Sequence, residues 1–221
     1  MVRARQLFFL NRVFFVAVIL FLAGGFSFLL LTSKASGFLY LSPYHTSALD
    51  HFFIYYTNLG DGLFSIAVVL LLLLMRKFKL AWQVLAAYII SGLVAQAFKE
   101  SIYSPRPKDF FRYKEYIHLI EGVTLNGYAS FPSGHASSAF ALATSLALYS
   151  RNKNFSLLYL LAAILVGYSR IYLSQHFPVD VMGGATMGLL TSTLVFLFFD
   201  RYYSRSANLK DPDTKKNRHA N

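Results

Sequence analysis

The chain has 221 residues, of which 56% are hydrophobic and 14% charged, with a formal net charge of +11 and no cysteine. Soluble domains carry about a quarter of their residues charged, so this composition indicates a membrane protein, and the length indicates one domain. A sequence without cysteine excludes disulfides, thiolate metal sites and cysteine nucleophiles. Because the basic residues lie between apolar segments and do not form one face, we do not expect nucleic-acid binding.

The first apolar segment covers residues 7–31 and follows a basic start that contains Arg3 and Arg5. A signal peptide also combines a basic start with an apolar core. The core at 13–31 is longer than the roughly 7–15 residues of a signal peptide, and it is long enough to cross a bilayer. We therefore predict a first membrane span that is retained.

Five more apolar segments of helical length follow, and the chain is predicted to be all-α with six transmembrane helices. Only helices and closed barrels satisfy their backbone groups in lipid, and these segments have helical lengths. The membrane domain is predicted at 1–200 and a flexible, basic, cytoplasmic tail at 201–221. Between the first two spans, His45 and His51 are interpreted as interfacial residues and not as catalytic ones. The later spans are predicted at 59–75, 80–98, 134–149, 155–173 and 179–199.

The distribution of basic residues predicts the orientation of this bundle. Six spans place both termini on one side, and 14 of the 21 Lys and Arg residues then lie on that side. The positive-inside rule makes the termini cytoplasmic, so the opposite ends face the periplasm or an equivalent compartment. Seven basic residues lie on the outer side: Lys34, Lys99, Arg106, Lys108, Arg112, Lys114 and Arg170.

Polar residues are clustered in three short motifs at the outer ends of predicted spans. Ionisable residues are costly next to lipid, so their convergence predicts one shared site lined by the bundle. The motifs are Lys99, six residues, Arg106-Pro107; then Pro132-Ser133-Gly134-His135; then Ser169-Arg170, five residues, His176, three residues, Asp180.

The residue types in these motifs suit a phosphate group. Arginine grips phosphate oxygens with two parallel N–H groups, and lysine acts as a point charge, which makes Lys99, Arg106 and Arg170 candidate phosphate ligands. Ser133 and Gly134 begin a predicted helix, whose free N–H groups add donors for an anion. His176 is a candidate nucleophile, because Asp180 lies four residues later at the start of a helix and can fix the imidazole tautomer. His135 is suited to carrying a proton.

In order and spacing, the three motifs resemble the signature of the type 2 phosphatidic acid phosphatase (PAP2) superfamily, relatives of the vanadium haloperoxidases. The resemblance covers roughly residues 59–199. It implies that His176 attacks phosphorus and becomes a phosphohistidine. It also implies that His135 protonates the leaving oxygen and later helps to activate water. No cofactor and no metal are expected, because the nearby cations would repel a divalent ion from the histidines.

The resemblance implies a membrane phosphatase that acts on a lipid phosphate or diphosphate at the outer membrane–water boundary. It allows undecaprenyl diphosphate, phosphatidylglycerol phosphate, phosphatidic acid or lipid A as the substrate. The loop at 108–131 is the expected place of headgroup selection. Three alternatives stay open: a phosphotransferase that uses the same intermediate, a phosphatase of a soluble ester, and a membrane scaffold without turnover.

Overall fold

The computed structural model describes residues 4–150 and 152–210, and within them the chain is helical, without a named strand. The basic start at 1–3, Arg151 and residues 211–221 of the predicted tail lie outside the described part. The helices are α1 (Ala4–Leu10), α2 (Arg12–Leu31), α3 (Lys34–Leu41), α4 (Ser47–Tyr56), α5 (Gly62–Leu74), α6 (Phe78–Ser101), α7 (Pro107–Phe110), α8 (Gly134–Tyr149), α9 (Asn154–Tyr172) and α10 (Pro178–Lys210).

Membrane-spanning character is clear for some of these helices and not for all of them. In the described residues, α2, α6, α9 and the Pro178–Tyr203 part of α10 are long and apolar enough to cross a membrane. A fifth candidate is the segment Ser47–Gly60, which continues into α5 with a bend of 56°. The remaining predicted span, α8, has 16 residues, fewer than the about 20 that a bilayer requires. The prediction of six spans therefore stays a prediction.

Helix α8 lies inside the bundle, where it packs against α6, α9 and α10. Most of its residues are buried, and many are Ala or Ser. Glycines on α10 allow the closest approach: a Cβ added at Gly184 or Gly188 would lie 2.3 Å from a carbonyl oxygen of α8. Small residues in this spacing let two helix backbones meet, so α8 and α10 form a tightly packed pair.

Helix α2 shows the opposite pattern and presents an apolar surface to its surroundings. Only 11% of its most apolar stretch of residues is buried inside the bundle. Leu20 and Leu30 leave 67% and 87% of their surface exposed. Such a continuous apolar exterior is unfavourable in water and suits the hydrocarbon of a bilayer.

Two contacts show which ends of the long helices lie together. Lys153, at the start of α9, donates to Asn11 at the start of α2 over 2.7 Å. The ammonium of Lys79, near the start of α6, lies 3.9 Å from Asp200 near the far end of α10. The last helix continues to Lys210, so the first ten residues of the segment predicted as a flexible tail are helical.

Candidate active site

The residues of the three motifs meet at the other end of the bundle. That end contains the last turns of α6 and α9 and the first turns of α5, α8 and α10. The structure brings together every candidate that the sequence predicted: Lys99, Arg106, Ser133, Gly134, His135, Arg170, His176 and Asp180, which are joined by the contacts described below.

His176 and Asp180 lie side by side in a buried frame. Nδ1 of His176 is 3.7 Å from Oδ2 of Asp180, and the side chains are 3% and 0% exposed. This separation is longer than a direct hydrogen bond. Ser130 lies beside both groups: its hydroxyl donates to Asp180 over 2.5 Å and is 3.4 Å from Nδ1 of His176. The backbone N–H of Phe177 also donates to Oδ2, over 2.9 Å.

Burial determines the charge state of His176. Removal from water lowers the pKa of this histidine to about 4, against the opposing effect of the nearby Asp180 carboxylate. At neutral pH the imidazole is therefore uncharged and has a free lone pair. Because Nδ1 faces Asp180 and Ser130, Nε2 is the nitrogen left for a substrate.

The start of α8 combines a lysine with a helix N-terminus. Ser133 caps the helix, and its hydroxyl accepts a bond from the N–H of Ala136 over 3.4 Å. A Cβ added at Gly134 would lie 3.6 Å from Nζ of Lys99, so the lysine ammonium lies directly over the first turn. A positive side chain and the positive end of a helix dipole at one point favour an anion there.

The two arginines are each held by a neutral partner, which leaves their charge uncompensated by a bonded carboxylate. Arg170 is 6% exposed and donates to the hydroxyl of Thr57 over 2.7 Å. Its Nε is buried and has no hydrogen-bond partner. Arg106 donates to the side-chain oxygen of Gln175 over 3.0 Å. Neutral partners fix the direction of each guanidinium, and the remaining N–H groups can bind an anion.

Backbone bonds connect the second motif to the third. The N–H of Ser133 donates to the carbonyl oxygen of Asp180 over 2.9 Å. Within the third motif, the N–H groups of Gln175 and His176 donate to the carbonyl oxygen of Arg170 over 2.9 and 3.1 Å. The nucleophile candidate, one cation and the start of α8 therefore belong to one rigid unit.

His135 lies in a more open environment on the same helix start. Its side chain is 28% exposed, and Nε2 is 3.9 Å from Oδ2 of Asp61. Asp61 also caps α5, because its carboxylate accepts the N–H of Leu63 over 2.8 Å. The residue that caps α5 therefore lies next to a motif histidine.

The site contains five residues that sequence reasoning did not assign to it: Ser130, Thr57, Asp61, Gln175 and Lys34. Two of them have a visible signal in the sequence, since Ser130 lies two residues before the second motif and Gln175 lies inside the third. Thr57 and Asp61 come from the segment before α5, and only the three-dimensional packing brings them to Arg170 and His135.

Lys34 is a further cation at this end of the bundle. It starts α3, and its ammonium lies 4.2 Å from the centre of the Phe177 ring and 3.3 Å from the hydroxyl of Ser104. Burial lowers the pKa of Lys34, and the Asp180 carboxylate opposes that shift. The interfacial histidines behave differently from each other: His51 is exposed, whereas His45 packs against other polar side chains away from the motifs.

Fold and site together define a membrane-embedded helical bundle with cations, a helix N-terminus and two histidines at one end. A family model described as "PAP2 superfamily" matches residues 80–204, which is more than half of the chain. The chain belongs to the PAP2 superfamily, as the three motifs predicted.

Named relatives agree with this assignment. Undecaprenyl-diphosphatase BcrC from Bacillus subtilis (strain 168) is 31% identical over 160 residues, covering 71% of this chain and 78% of that protein. Lipid phosphate phosphatase 2 from Arabidopsis thaliana is 34% identical over 141 residues, covering 52% of this chain and 49% of that protein. The chain thus spans about half the length of the plant relative.

A solved structure has the same fold. The crystal structure of LpxE from Aquifex aeolicus aligns with a TM-score of 0.64 and 29% identity, covering 72% of this chain and 92% of that one. The names of these relatives, with the family match, support a phosphoric monoester or diphosphate hydrolase.

Proposed function

We propose that this protein is an integral membrane phosphatase that hydrolyses a lipid phosphate or diphosphate through a phosphohistidine on His176. One observation carries the proposal: a buried, neutral imidazole lies beside three cations and a helix N-terminus in a membrane-embedded bundle. Neutral His176 is nucleophilic, while the cations bind the phosphate that it attacks.

Each residue has a distinct part in the proposed reaction. Nε2 of His176 attacks phosphorus, the bond from phosphorus to the lipid oxygen breaks, and His135 gives that oxygen its proton. Water then attacks the phosphohistidine, His135 takes up a proton from it, and the N–P bond breaks to release phosphate and neutral His176. Lys99, Arg106 and Arg170 stabilise charge on the transferring group, which is usually the largest contribution to catalysis of phosphoryl transfer.

An apolar cavity of about 230 Å³ between α5, α8 and α9 supports a lipid substrate over a soluble ester. Its lining is almost entirely apolar and includes Leu59, Ala139 and Val166. Leu59 adjoins Gly60, where an added Cβ would lie 2.8 Å from the carbonyl oxygen of His135. An acyl or prenyl chain in this cavity would therefore have its headgroup end near His135.

The relatives that match the chain are named for undecaprenyl diphosphate, phosphatidylglycerol phosphate and lipid A. All of these substrates combine a phosphate with a long apolar chain, which supports the substrate class proposed for this protein. Within the class we take undecaprenyl diphosphate as the first substrate to test, because BcrC covers the largest share of this chain among those three relatives.

We further propose six spans, cytoplasmic termini and a site that faces the periplasm or an equivalent compartment. The buried position of α8 supports its role as one of the six spans, since a helix enclosed by other helices need not itself match the hydrocarbon thickness. The excess of basic residues at the terminal ends supports the orientation.

Phosphate release by the purified protein tests the proposed function. The panel contains undecaprenyl diphosphate, phosphatidylglycerol phosphate, phosphatidic acid, lipid A and a water-soluble phosphate ester. His176→Ala is compared with His51→Ala, which changes an exposed histidine outside the motifs. We expect release from a lipid substrate that disappears in His176→Ala and persists in His51→Ala. Release from the soluble ester alone, or equal release by both variants, would contradict the proposal.

A further inference from the structure

A second polar cluster lies outside the three motifs and is formed by His45, Asp50 and His118. They come from three separate segments: the connection between α3 and α4, helix α4, and the long loop between α7 and α8. One nitrogen or oxygen atom from each residue lies within 4.8 Å of the others. Their side chains are 11%, 19% and 30% exposed, so the cluster is partly shielded from water.

The imidazole of His45 is oriented with an unused lone pair toward this cluster. Its Nε2 lies 3.2 Å from both the carbonyl oxygen and the hydroxyl of Ser42, and we assign the hydrogen to Nε2 because the carbonyl oxygen can only accept. Nδ1 is then unprotonated. It is buried without a hydrogen-bond partner and faces Oδ1 of Asp50 at 3.8 Å. Two electron-rich atoms thus face each other without a proton between them, an arrangement that a cation would stabilise.

The other two members are also held in place by their neighbours. Tyr172 donates its hydroxyl to Oδ1 of Asp50 over 2.7 Å. Nε2 of His118 lies 3.0 Å from Oδ2 of the same carboxylate. The rings of His45 and His118 stack with their centres 4.1 Å apart, so both nitrogens reach the carboxylate from one side.

We propose that His45, Asp50 and His118 bind a divalent transition-metal ion of the zinc type. The ion would be bound by Nδ1 of His45, Nε2 of His118 and a carboxylate oxygen of Asp50, with water as a fourth ligand. Two imidazoles and one carboxylate suit zinc, whereas magnesium and calcium prefer oxygen ligands alone. Ligands of tetrahedral zinc lie about 2.0–2.2 Å from the ion, so these side chains need only a small closure.

The ion would replace the proton that now joins His118 to Asp50. Zinc binds deprotonated nitrogen and oxygen atoms and releases protons on binding. Ser42 and Tyr172 would then serve as outer partners that hold His45 and Asp50 in their binding orientation, as is usual around protein metal sites. None of the three ligands belongs to the motifs, so the ion is given no part in the proposed phosphoryl transfer.

Binding would connect the long loop to the segment that carries the nucleophile. The carbonyl oxygen of His118 accepts the hydroxyl of Ser174 over 2.8 Å, and Ser174 lies two residues before His176. Tyr172, which holds Asp50, lies two residues after Arg170. A metal ion at the cluster would therefore cross-link α4, the loop and the end of α9, and so stabilise the folded state.

Metal titration of the full chain in detergent micelles tests this proposal. The protein is stripped with a chelator after removal of any polyhistidine tag, and zinc binding is measured by calorimetry. Cobalt serves as a coloured substitute whose visible absorption reports its ligand geometry. The variants are His45→Ala, Asp50→Asn and His118→Ala. The control is His51→Ala, an exposed neighbour of Asp50 whose ring contacts the carbonyl oxygen of Ser47.

We expect one zinc ion per chain in the wild type and in His51→Ala, together with a higher melting temperature in zinc. Loss of any ligand should weaken binding by at least about tenfold and abolish the thermal shift. Stripped wild type that binds no zinc, or zinc affinity that is equal in His45→Ala and the wild type, would overturn the proposal. The wild-type titration decides the matter even if a variant does not fold. Phosphate release is measured separately, so a failure of the proposed function leaves this test intact.

Discussion

The two motif histidines differ in almost every physical respect although both lie at the same phosphate site. His176 is 3% exposed and is surrounded by Ser130, Asp180 and its own backbone bonds. His135 is 28% exposed, and its Nε2 lies 3.9 Å from the carboxylate of Asp61, which is itself 43% exposed. One imidazole is held in place, and the other has access to water.

This difference matches two chemical tasks. A nucleophile must have a fixed direction and must be unprotonated, which burial and a fixed tautomer provide for His176. A proton carrier must exchange protons with the leaving group and with water, which requires an open position like that of His135. Burial and contacts therefore support His176 as the nucleophile and His135 as the proton carrier.

The largest expected effects are the losses of activity in His176→Ala and His135→Ala, and only the second loss should depend on the leaving group of the substrate. His176→Ala should abolish turnover of every substrate, because no bond to phosphorus can form. His135→Ala should reduce hydrolysis of an alkyl lipid phosphate by about 10²–10⁴-fold. The second loss should be much smaller for a nitrophenyl phosphate, whose leaving oxygen needs no proton. Steady-state rates on both substrates provide the measurement, and equal losses in His135→Ala on both would remove its role as the acid.

The next effect concerns the frame around His176. Asp180→Asn should reduce kcat by about 10³–10⁴-fold if the carboxylate fixes the tautomer, by analogy with the aspartate of serine-hydrolase triads. Ser130→Ala removes one hydrogen bond and should reduce kcat about tenfold, with little change in KM. Ser130→Thr keeps the hydroxyl and should restore most of the activity. A Ser130→Ala variant with an altered KM and a normal kcat would contradict this positioning role.

The pH dependence of kcat/KM tests the charge state of His176. Burial lowers the pKa of His176 to about 4, so activity should stay high as the pH falls below 6.5 and decline only near pH 4. In His135→Ala the same acid decline should remain. Between pH 6.5 and pH 4 the unfolded chain binds a proton that folded His176 does not. The free energy of unfolding therefore decreases as the pH is lowered through this range. Each rate is therefore measured after the fold is verified, and an acid decline centred near pH 6.5 would refute the assignment.

The smallest expected effect involves Asp61. Asp61→Asn keeps a good helix cap for α5 but removes the charge near His135. An exposed ion pair contributes about 0.2–1 kcal/mol, so kcat/KM in steady-state assays should fall by no more than about fivefold. A loss as large as that of His135→Ala would show that Asp61 does more than stabilise a protonated imidazole.

The sequence was sufficient for the helical class and for the places where the long helices begin and, except for α10, where they end. Apolar runs of helical length and the Ser133 and Pro178 start signals explain this, since both act locally. The predicted fourth span agrees with α8 at 134–149. The sequence pattern did not reveal that α8 is enclosed. The Ala and Ser residues of α8 allow close packing only because Gly184 and Gly188 of α10 lie opposite them.

For the site, motif spacing was enough to predict which residues converge, but not how they are held. The predicted contact between Asp180 and His176 is 3.7 Å long, and Ser130 provides the short bond to the carboxylate. Thr57 lies 113 positions from Arg170 in the chain, so no local pattern connects them. Polar residues that support a site through the fold are therefore invisible to motif reasoning.

The loop between α7 and α8 has a fixed base and a free tip. At the base, Thr124 donates to the carbonyl oxygen of Leu173, and the side chain of Gln175 donates to the carbonyl oxygen of Val123. At the tip, Tyr113 and Tyr116 are 92% and 91% exposed. We therefore predict that catalysis and substrate selection can be changed separately. Exchange of residues 112–116 between relatives should transfer substrate preference while catalysis stays intact, which would make the tip the place where new specificities can evolve or be engineered.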